Sequence, residues 1–403
     1  MSSAGDGHGA LHAGAGGWAR FSHWIRNLSL RRITTSTKLI PQIDGLRFVA
    51  IALVLVDHIL NQGAPFMRPG GFLETVDQKT IGTRAVYLFF TLSGFILALP
   101  FARQYLQDGR CVDIASYFRR RLTRLEPPFF VAMLLRLIAF LIFKTTPMGT
   151  IFVHFLASLF YLHSAIYGPG SSINRPAWSL EVEVQFYIAA PLLALLFRLR
   201  PAWLRRGILI GAILASSFAA HLPVLLLNQR LSYSLLCNLQ YFLAGFLVCD
   251  LYVLRDFYRE RSWLWDVASA GCLFYIVCAT GPWSGMVYPL ANIVICLGAF
   301  YGHLLPRFLS LAFVGTIGGM CYSIYLTHNS VITGVHALLV HIPGLTAHWL
   351  AFNTAVFLLS FAVILFVGTI FFVLIERPCM DPAWPSKAMA WFSTKRSRQT
   401  GSH

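Results

Sequence analysis

The sequence predicts an all-α fold: a polytopic integral membrane bundle of about ten crossings, with one re-entrant segment and both termini on the cytoplasmic side. Three observations carry this prediction: the scarcity of charge, the length of the apolar stretches and the sidedness of the arginines. Of 403 residues, 57% are hydrophobic and only 12% are charged, which leaves too little polar surface to cover soluble domains of that size. The 32 Lys and Arg outnumber the 16 Asp and Glu. On so apolar a chain this excess is what short cytoplasmic loops need to stay on their side of a bilayer, so the partner implied is lipid and not nucleic acid. Among the eight cysteines, Cys237, Cys249, Cys272, Cys278, Cys296 and Cys321 fall inside apolar stretches, with no CxxC and no His/Cys spacing suited to zinc. Neither a disulfide framework nor a metal site is expected.

In chain order, residues 1–38 are rich in Gly, Ala and Ser and then in Arg, without the apolar core of a secretory signal. The chain divides into a flexible basic cytoplasmic tail (1–40), a membrane domain (41–378) and a short cytoplasmic tail (379–403). Ten apolar stretches approach the ~20 residues that a helix needs to cross ~30 Å of hydrocarbon. They are 46–60, 85–101, 128–143, 184–197, 208–227, 233–251, 263–280, 286–301, 317–340 and 349–375. An eleventh, 151–162, is short and contains His154. The charges decide its place. If it does not cross, the arginine clusters of the N-terminal tail, 103–124, 198–206 and 255–261 all fall on one side, with Lys387, Lys395, Arg396 and Arg398. If it does cross, Arg198, Arg200, Arg205 and Arg206 move outside, against the positive-inside rule. Residues 144–181 are therefore expected to form an outer excursion that dips into the membrane, with turns at Gly168-Pro169-Gly170 and Asn174-Arg175-Pro176.

Ionisable groups inside spans are costly enough to mark function. Arg47 and His58 lie eleven positions apart in the first span, about three turns and ~16 Å, so they share a face with Arg47 near the cytoplasmic end and His58 deeper. Asp57 beside His58 needs a partner at that depth. A bland reading also exists, in which Arg47 snorkels to the headgroups and His58 bonds to a neighbouring helix. His328 lies mid-span with Tyr325 three positions before it, on the same face. Arg136 either snorkels or faces the bundle interior. At the outer entrance of the fourth crossing, Trp178-Ser179-Leu180-Glu181-Val182-Glu183 reads as a helix start with Ser179 as N-cap and Trp178 in the aromatic belt, and Glu183 shares a face with Tyr187. The run Phe118-Arg119-Arg120-Arg121-Leu122-Thr123-Arg124 reads as a cytoplasmic loop, there for topology or for binding phosphates.

Taken together, six segments resemble the membrane acyltransferase-3 family. They are Ile43-Asp44-Gly45-Leu46-Arg47 leading to His58, Phe89-Phe90-Thr91-Leu92-Ser93-Gly94-Phe95, the basic run followed by Glu126-Pro127, Trp178-Ser179-Leu180 with Glu183, Tyr322 through His328, and Ile375-Glu376-Arg377-Pro378. The resemblance covers about residues 43 to 378. It implies a bundle of about ten helices that moves acyl groups, commonly acetyl from acetyl-CoA, onto hydroxyls of carbohydrates, lipids or macrolide-like molecules in a bacterial plasma membrane. It matches Arg47 and His58 to the family's Arg and His pair, Glu183 to its Glu, Arg121 and Arg124 to its basic loop, and His328 to its late His. The chain departs from the family pattern at Val184, Glu181 and Tyr87. About 25 residues follow Pro378, so the chain is expected to act without the extracytoplasmic domain that some members carry.

The mechanism expected is O-acyl transfer from acyl-CoA as co-substrate, with no bound cofactor. His58 acts as general base, oriented by Asp57 or Glu183, or as the carrier of a covalent acyl group. Arg47, Arg121 and Arg124 bind the CoA phosphates, and His328, Trp178, Ser179 and Tyr325 complete the site. The rival class is a proton-coupled transporter or flippase, in which Asp57, His58, His328 and Glu183 relay protons.

Overall fold

The structure is a computed structural model. It describes Leu30, Arg32 and residues 40–63, 81–143, 147–168, 170–171, 173–226, 228–254, 261–279, 281, 283–381 and 383–386. Arg255 and the C-terminal Lys387, Lys395, Arg396 and Arg398 lie outside the described residues, as does most of the N-terminal tail.

The described residues are helical, without a strand. The elements are α1 (Pro41–Gly63), α2 (Ile81–Leu106), α3 (Ile114–Phe143), α4 (Met148–Leu159), α5 (His163–Tyr167), α6 (Trp178–Leu193), α7 (Ala202–Ala220), α8 (Pro223–Leu226) and α9 (Gln229–Ser232). They continue with α10 (Leu235–Leu254), α11 (Trp263–Cys278), α12 (Tyr288–Tyr301), α13 (Leu304–Leu309), α14 (Ala312–Gly319), α15 (Cys321–Val340), α16 (Trp349–Phe371) and α17 (Arg377–Cys379). A 3₁₀ turn, Arg175–Ala177, leads into α6, and a π-turn, Phe372–Glu376, joins α16 to α17. Among the described residues, seven helical segments are long and apolar enough to cross a membrane. α1 and α15, which carry His58 and His328, are not among the seven, because polar residues interrupt their apolar runs.

The ten predicted stretches each meet a helix, with three corrections. The basic run 118–124 is not a loop but the first turns of α3, which starts where the Ser116 N–H donates to Asp113 Oδ2 (2.9 Å). The Ser116 hydroxyl and N–H hold the Asp113 carboxyl below its usual range. The stretch 208–227 ends as a long helix at Ala220, and 317–340 is split at Met320 into α14 and α15. The disputed segment forms α4, twelve residues or ~18 Å. That is short of the ~30 Å hydrocarbon core. Phe152, Val153, Leu156 and Phe160 are exposed on this segment, which suits lipid contact at partial depth.

α2 and α10 are mostly buried and pack tightly along each other, whereas α3, α7 and α16 are mostly exposed and line the outside. Glycine makes the α2–α10 crossing close: a Cβ on Gly94 would stand 3.0 Å from the Cα of Phe242. At one end of the bundle Gln107 donates to the Val253 carbonyl (2.9 Å), Arg200 pairs with Asp108 (3.5 Å), and Arg205 and Arg206 both bind buried Asp250. The loops expected to share a side therefore meet. All eight cysteines are free.

Candidate active site

α1 places Arg47 and His58 on one face, and its two ends make different sites. At the His58 end, Nδ1 lies 3.0 Å from the Val54 carbonyl, one turn back. A carbonyl oxygen only accepts, so Nδ1 carries the hydrogen and the neutral ring keeps its lone pair on Nε2. His328 repeats the arrangement on α15: its Nδ1 lies 2.7 Å from the Tyr325 carbonyl, and its Nε2 is buried without a partner. The two rings are 5.0 Å apart, centroid to centroid. Two imidazoles thus meet with their basic nitrogens unclaimed by the described residues.

Neither expected carboxylate orients His58. Successive helix residues point about 100° apart, and Asp57 faces the start of α2. There it accepts from Asn61 Nδ2 (3.0 Å), and a Cβ on Gly82 would come within 2.6 Å of its Oδ2. It ties α1 to the positive end of α2. Glu183 accepts the hydroxyl proton of Ser93 (Oγ to Oε1, 2.6 Å), and the Tyr187 hydroxyl lies against the same carboxylate.

The start of α6 also differs from expectation. Its N-cap is Ala177, without a side-chain cap, and Ser179 lies inside the helix. The Ser179 oxygen is 2.7 Å from the Tyr325 hydroxyl, which reaches the Pro176 carbonyl at 2.8 Å. The Ser179 hydroxyl also lies 3.3 Å from the Pro176 carbonyl, so serine, tyrosine and carbonyl form one closed cluster. This chain of bonds pins the entrance of α6 to α15 one turn from His328. Trp178, half-buried, is packed edge-on between Phe90 and Tyr233. Arg136 faces the outer excursion and donates to Asn174 Oδ1 (3.1 Å).

At the other end of α1, Asp44 Oδ1 accepts from Arg47 (2.7 Å) and Arg32 (2.9 Å). Arg124 lies within electrostatic reach of Arg47 and Glu376, and its Nε is buried without a partner. Glu376 does not spend its hydrogen bonds on arginine: its Oε2 takes the backbone N–H of Ser323 (3.0 Å) and the Ser323 hydroxyl. Three guanidiniums therefore face two carboxylates, with donors to spare. Arg121 sits apart, stacked over the Tyr117 ring (3.7 Å) and donating to the Tyr117 carbonyl (3.0 Å). Glu183 stands within electrostatic reach of both Arg47 and Tyr325.

A family model described as an acyltransferase domain matches residues 40–376. The chain belongs to this acyltransferase family. The O-acetyltransferase OatA of Staphylococcus aureus (strain NCTC 8325 / PS 47) is 25% identical over 336 residues, covering 76% of this chain and 52% of OatA. The acyltransferase MdmB of Streptomyces mycarofaciens is 26% identical over 363 residues, covering 85% of this chain and 92% of MdmB. The chain thus spans about half the length of OatA and nearly all of MdmB. No solved structure matches. The family resemblance read from the six motifs is borne out. Sequence reasoning missed Ser93, Ser323 and Glu376 as site residues, although each lies inside a motif, and it missed Arg32, which lies outside the matched range.

Proposed function

We propose that the protein is an O-acyltransferase that moves an acyl group, acetyl by preference, from acyl-CoA to a hydroxyl of a carbohydrate, lipid or macrolide-like acceptor. One observation carries this reading. His58 presents the basic nitrogen of a tautomer fixed by its own helix, on the same face as Arg47 and three turns above it. An alcohol becomes a nucleophile for a thioester when a base takes its proton as the bond forms. In the proposed step the acceptor oxygen bonds to the acyl carbon, the carbon–sulfur bond breaks, and the hydroxyl proton passes to His58 Nε2 and then to the CoA thiolate. Arg47 and Arg124 bind the CoA phosphates through bidentate guanidinium contacts, with Arg121 at the edge of that site. The pantetheine arm runs along α1 toward the histidines, past Glu183. His328, Trp178, Ser179 and Tyr325 form the wall on the acceptor side. Asp57 serves by anchoring α1 to α2.

The topology proposed with this chemistry has ten crossings, α4 and α5 dipping in from the outer side, and both termini in the cytoplasm of a bacterium whose plasma membrane holds the protein. Reporters fused after Gln107 and after Arg200 should both read as cytoplasmic. An outer signal at Arg200 would mean that α4 crosses. The activity is tested by giving purified protein in detergent radiolabelled acetyl-CoA and a panel of hydroxylated acceptors. Label should move to an acceptor as an alkali-labile ester. Label that stays on CoA with every acceptor class would remove the proposal.

A further inference from the structure

Serine and threonine inside helices normally return their hydroxyl proton to the carbonyl one turn back. Thr91 (to Tyr87), Ser216 (to Ala212), Thr316 (to Ala312), Thr327 (to Ser323) and Thr333 (to Asn329) all do so. Ser93 does not. Its proton crosses to α6 and meets Glu183 Oε1 at 2.6 Å, ninety positions away in the chain. A hydroxyl has one proton to give, so this bond is made in place of the local one. A short bond to a carboxylate is stronger than the neutral bond it replaces.

The surroundings fix this pair from both sides. Ser93 precedes Gly94, the residue that lets α2 and α10 touch backbone to backbone, so the serine sits on the most extensive helix crossing of the bundle. On α6, Glu183 lies one turn beyond Ser179, which is tied to Tyr325 on α15. Two cross-links one turn apart therefore clamp α6, one to α2 through Glu183 and one to the His328 helix through Ser179. The ring of Phe89, one turn before Ser93, closes the gap against Tyr325 (6.4 Å). Without Ser93 the carboxylate would keep the Tyr187 hydroxyl but lose its tie to α2, and could swing about that remaining contact.

We propose that Ser93 is a positioning residue: it holds the Glu183 carboxylate between the arginine and histidine ends of the site, in the orientation that acyl transfer requires. The assignment rests on the acyltransferase reading above and goes beyond it by naming a residue that acts through Glu183. It requires that removing the hydroxyl harm turnover only while Glu183 is present, and that threonine, which keeps the hydroxyl, restore what alanine loses.

The experiment has two arms, so that failure of the acyltransferase reading and failure of the positioning role give different results. The first needs no substrate. Infrared difference spectra, with E183Q identifying the Glu183 carboxylate band, should show that band displaced in Ser93→Ala and returned in Ser93→Thr. An unmoved band in Ser93→Ala would overturn the proposal whatever the protein's activity. The second arm measures acetyl transfer by Ser93→Ala, Ser93→Thr, Glu183→Gln and the Ser93→Ala/Glu183→Gln double variant, each checked for thermal unfolding. Ser93→Ala should lower kcat about 10- to 100-fold, as loss of an orienting partner does, with KM for acetyl-CoA within about threefold. The double variant should be no worse than Glu183→Gln alone. Additive losses would mean that Ser93 acts elsewhere, and an acetyl ester trapped on Ser93 would make it the nucleophile; either result overturns the positioning role. Inactivity of the wild-type protein with acetyl-CoA would sink the acyltransferase reading alone, and the infrared arm would then decide.

Discussion

The two ends of α1 differ in how far their functional groups depend on other segments. At the histidine end each imidazole is fixed by a carbonyl of its own helix, three or four residues back, and nothing from another segment is needed to set its tautomer. At the arginine end Arg47 is also held within its own helix, by Asp44 three residues back, but Asp44 is shared with Arg32 from outside the helix, and Glu376 is claimed by Ser323, 53 positions away. The first arrangement leaves a lone pair open on each ring, which suits proton transfer. The second leaves N–H donors open around excess positive charge, which suits a phosphate-bearing ligand. Local bonds thus set the reactive groups on their own helices, while contacts between segments make the binding end depend also on assembly of the bundle.

The largest effect that can break this comparison is at His58. His58→Ala should leave the protein inserted and stable yet lower turnover by roughly 10² to 10⁴, the range of general-base catalysis, while acyl-CoA binding persists. His58→Gln is the sharper variant. It can still donate to the Val54 carbonyl but cannot take a proton near neutral pH, so a structural histidine would be rescued by it and a base would not. Near-normal transfer by His58→Gln would shift the base role to His328 or favour a proton-relay transporter.

Next comes Arg47. If the arginine end binds the donor, Arg47→Gln should raise the apparent constant for acyl-CoA by about 10- to 150-fold, the equivalent of ~1.5 to 3 kcal/mol for a lost charged hydrogen bond, with kcat and the acceptor constant little changed. A shift confined to the acceptor would place the acceptor at this end and invert the comparison.

This contrast also explains how much could be read from the sequence. Arg47 and His58 lie on one helix, so their spacing alone puts them on one face, and length alone marks 151–162 as the odd apolar stretch, which forms the short helix α4. What fails is pairing. Adjacency makes Asp57 look like the partner of His58, but adjacent helix residues diverge, and Asp57 turns to α2. A place before an apolar run makes Ser179 look like a cap, yet its hydroxyl serves Tyr325, 146 positions on. Helix periodicity does place Tyr187 beside Glu183, but the other partner of Glu183 lies 90 positions away and that of Glu376 lies 53 positions away. No periodicity within one element encodes such contacts, which only the packing of helices creates.

A third, smaller effect tests whether the histidine end is as autonomous as its local bonds suggest. Tyr325→Phe removes the hydroxyl bonded to both Ser179 and the Pro176 carbonyl and leaves these two only their own longer bond (3.3 Å) in a buried place. It should lower stability by about 1 to 3 kcal/mol, seen as earlier thermal unfolding in detergent, and reduce turnover less than His58→Gln does. A turnover loss as large as that of His58→Gln, in a protein of unchanged stability, would make Tyr325 part of the chemistry.

The smallest effect is expected at Arg121, although it belongs to the same basic run as Arg124. Its guanidinium lies flat on the Tyr117 ring and donates to the Tyr117 carbonyl, and Tyr117 in turn donates to the Tyr187 carbonyl (3.1 Å). A planar cation already stacked and hydrogen-bonded gives up those contacts to reach a phosphate, and stacking of this kind contributes about 0.5 to 2 kcal/mol. Arg124, with a buried Nε that has no partner, gives up less. Arg121→Gln should therefore raise the acyl-CoA constant by no more than about threefold, well below Arg47→Gln or Arg124→Gln, because the gain from a phosphate contact is largely offset by the stacking lost. Equal effects at Arg121 and Arg124 in titrations with CoA would show that Arg121 leaves Tyr117 when the donor binds, and that the basic run acts as a unit.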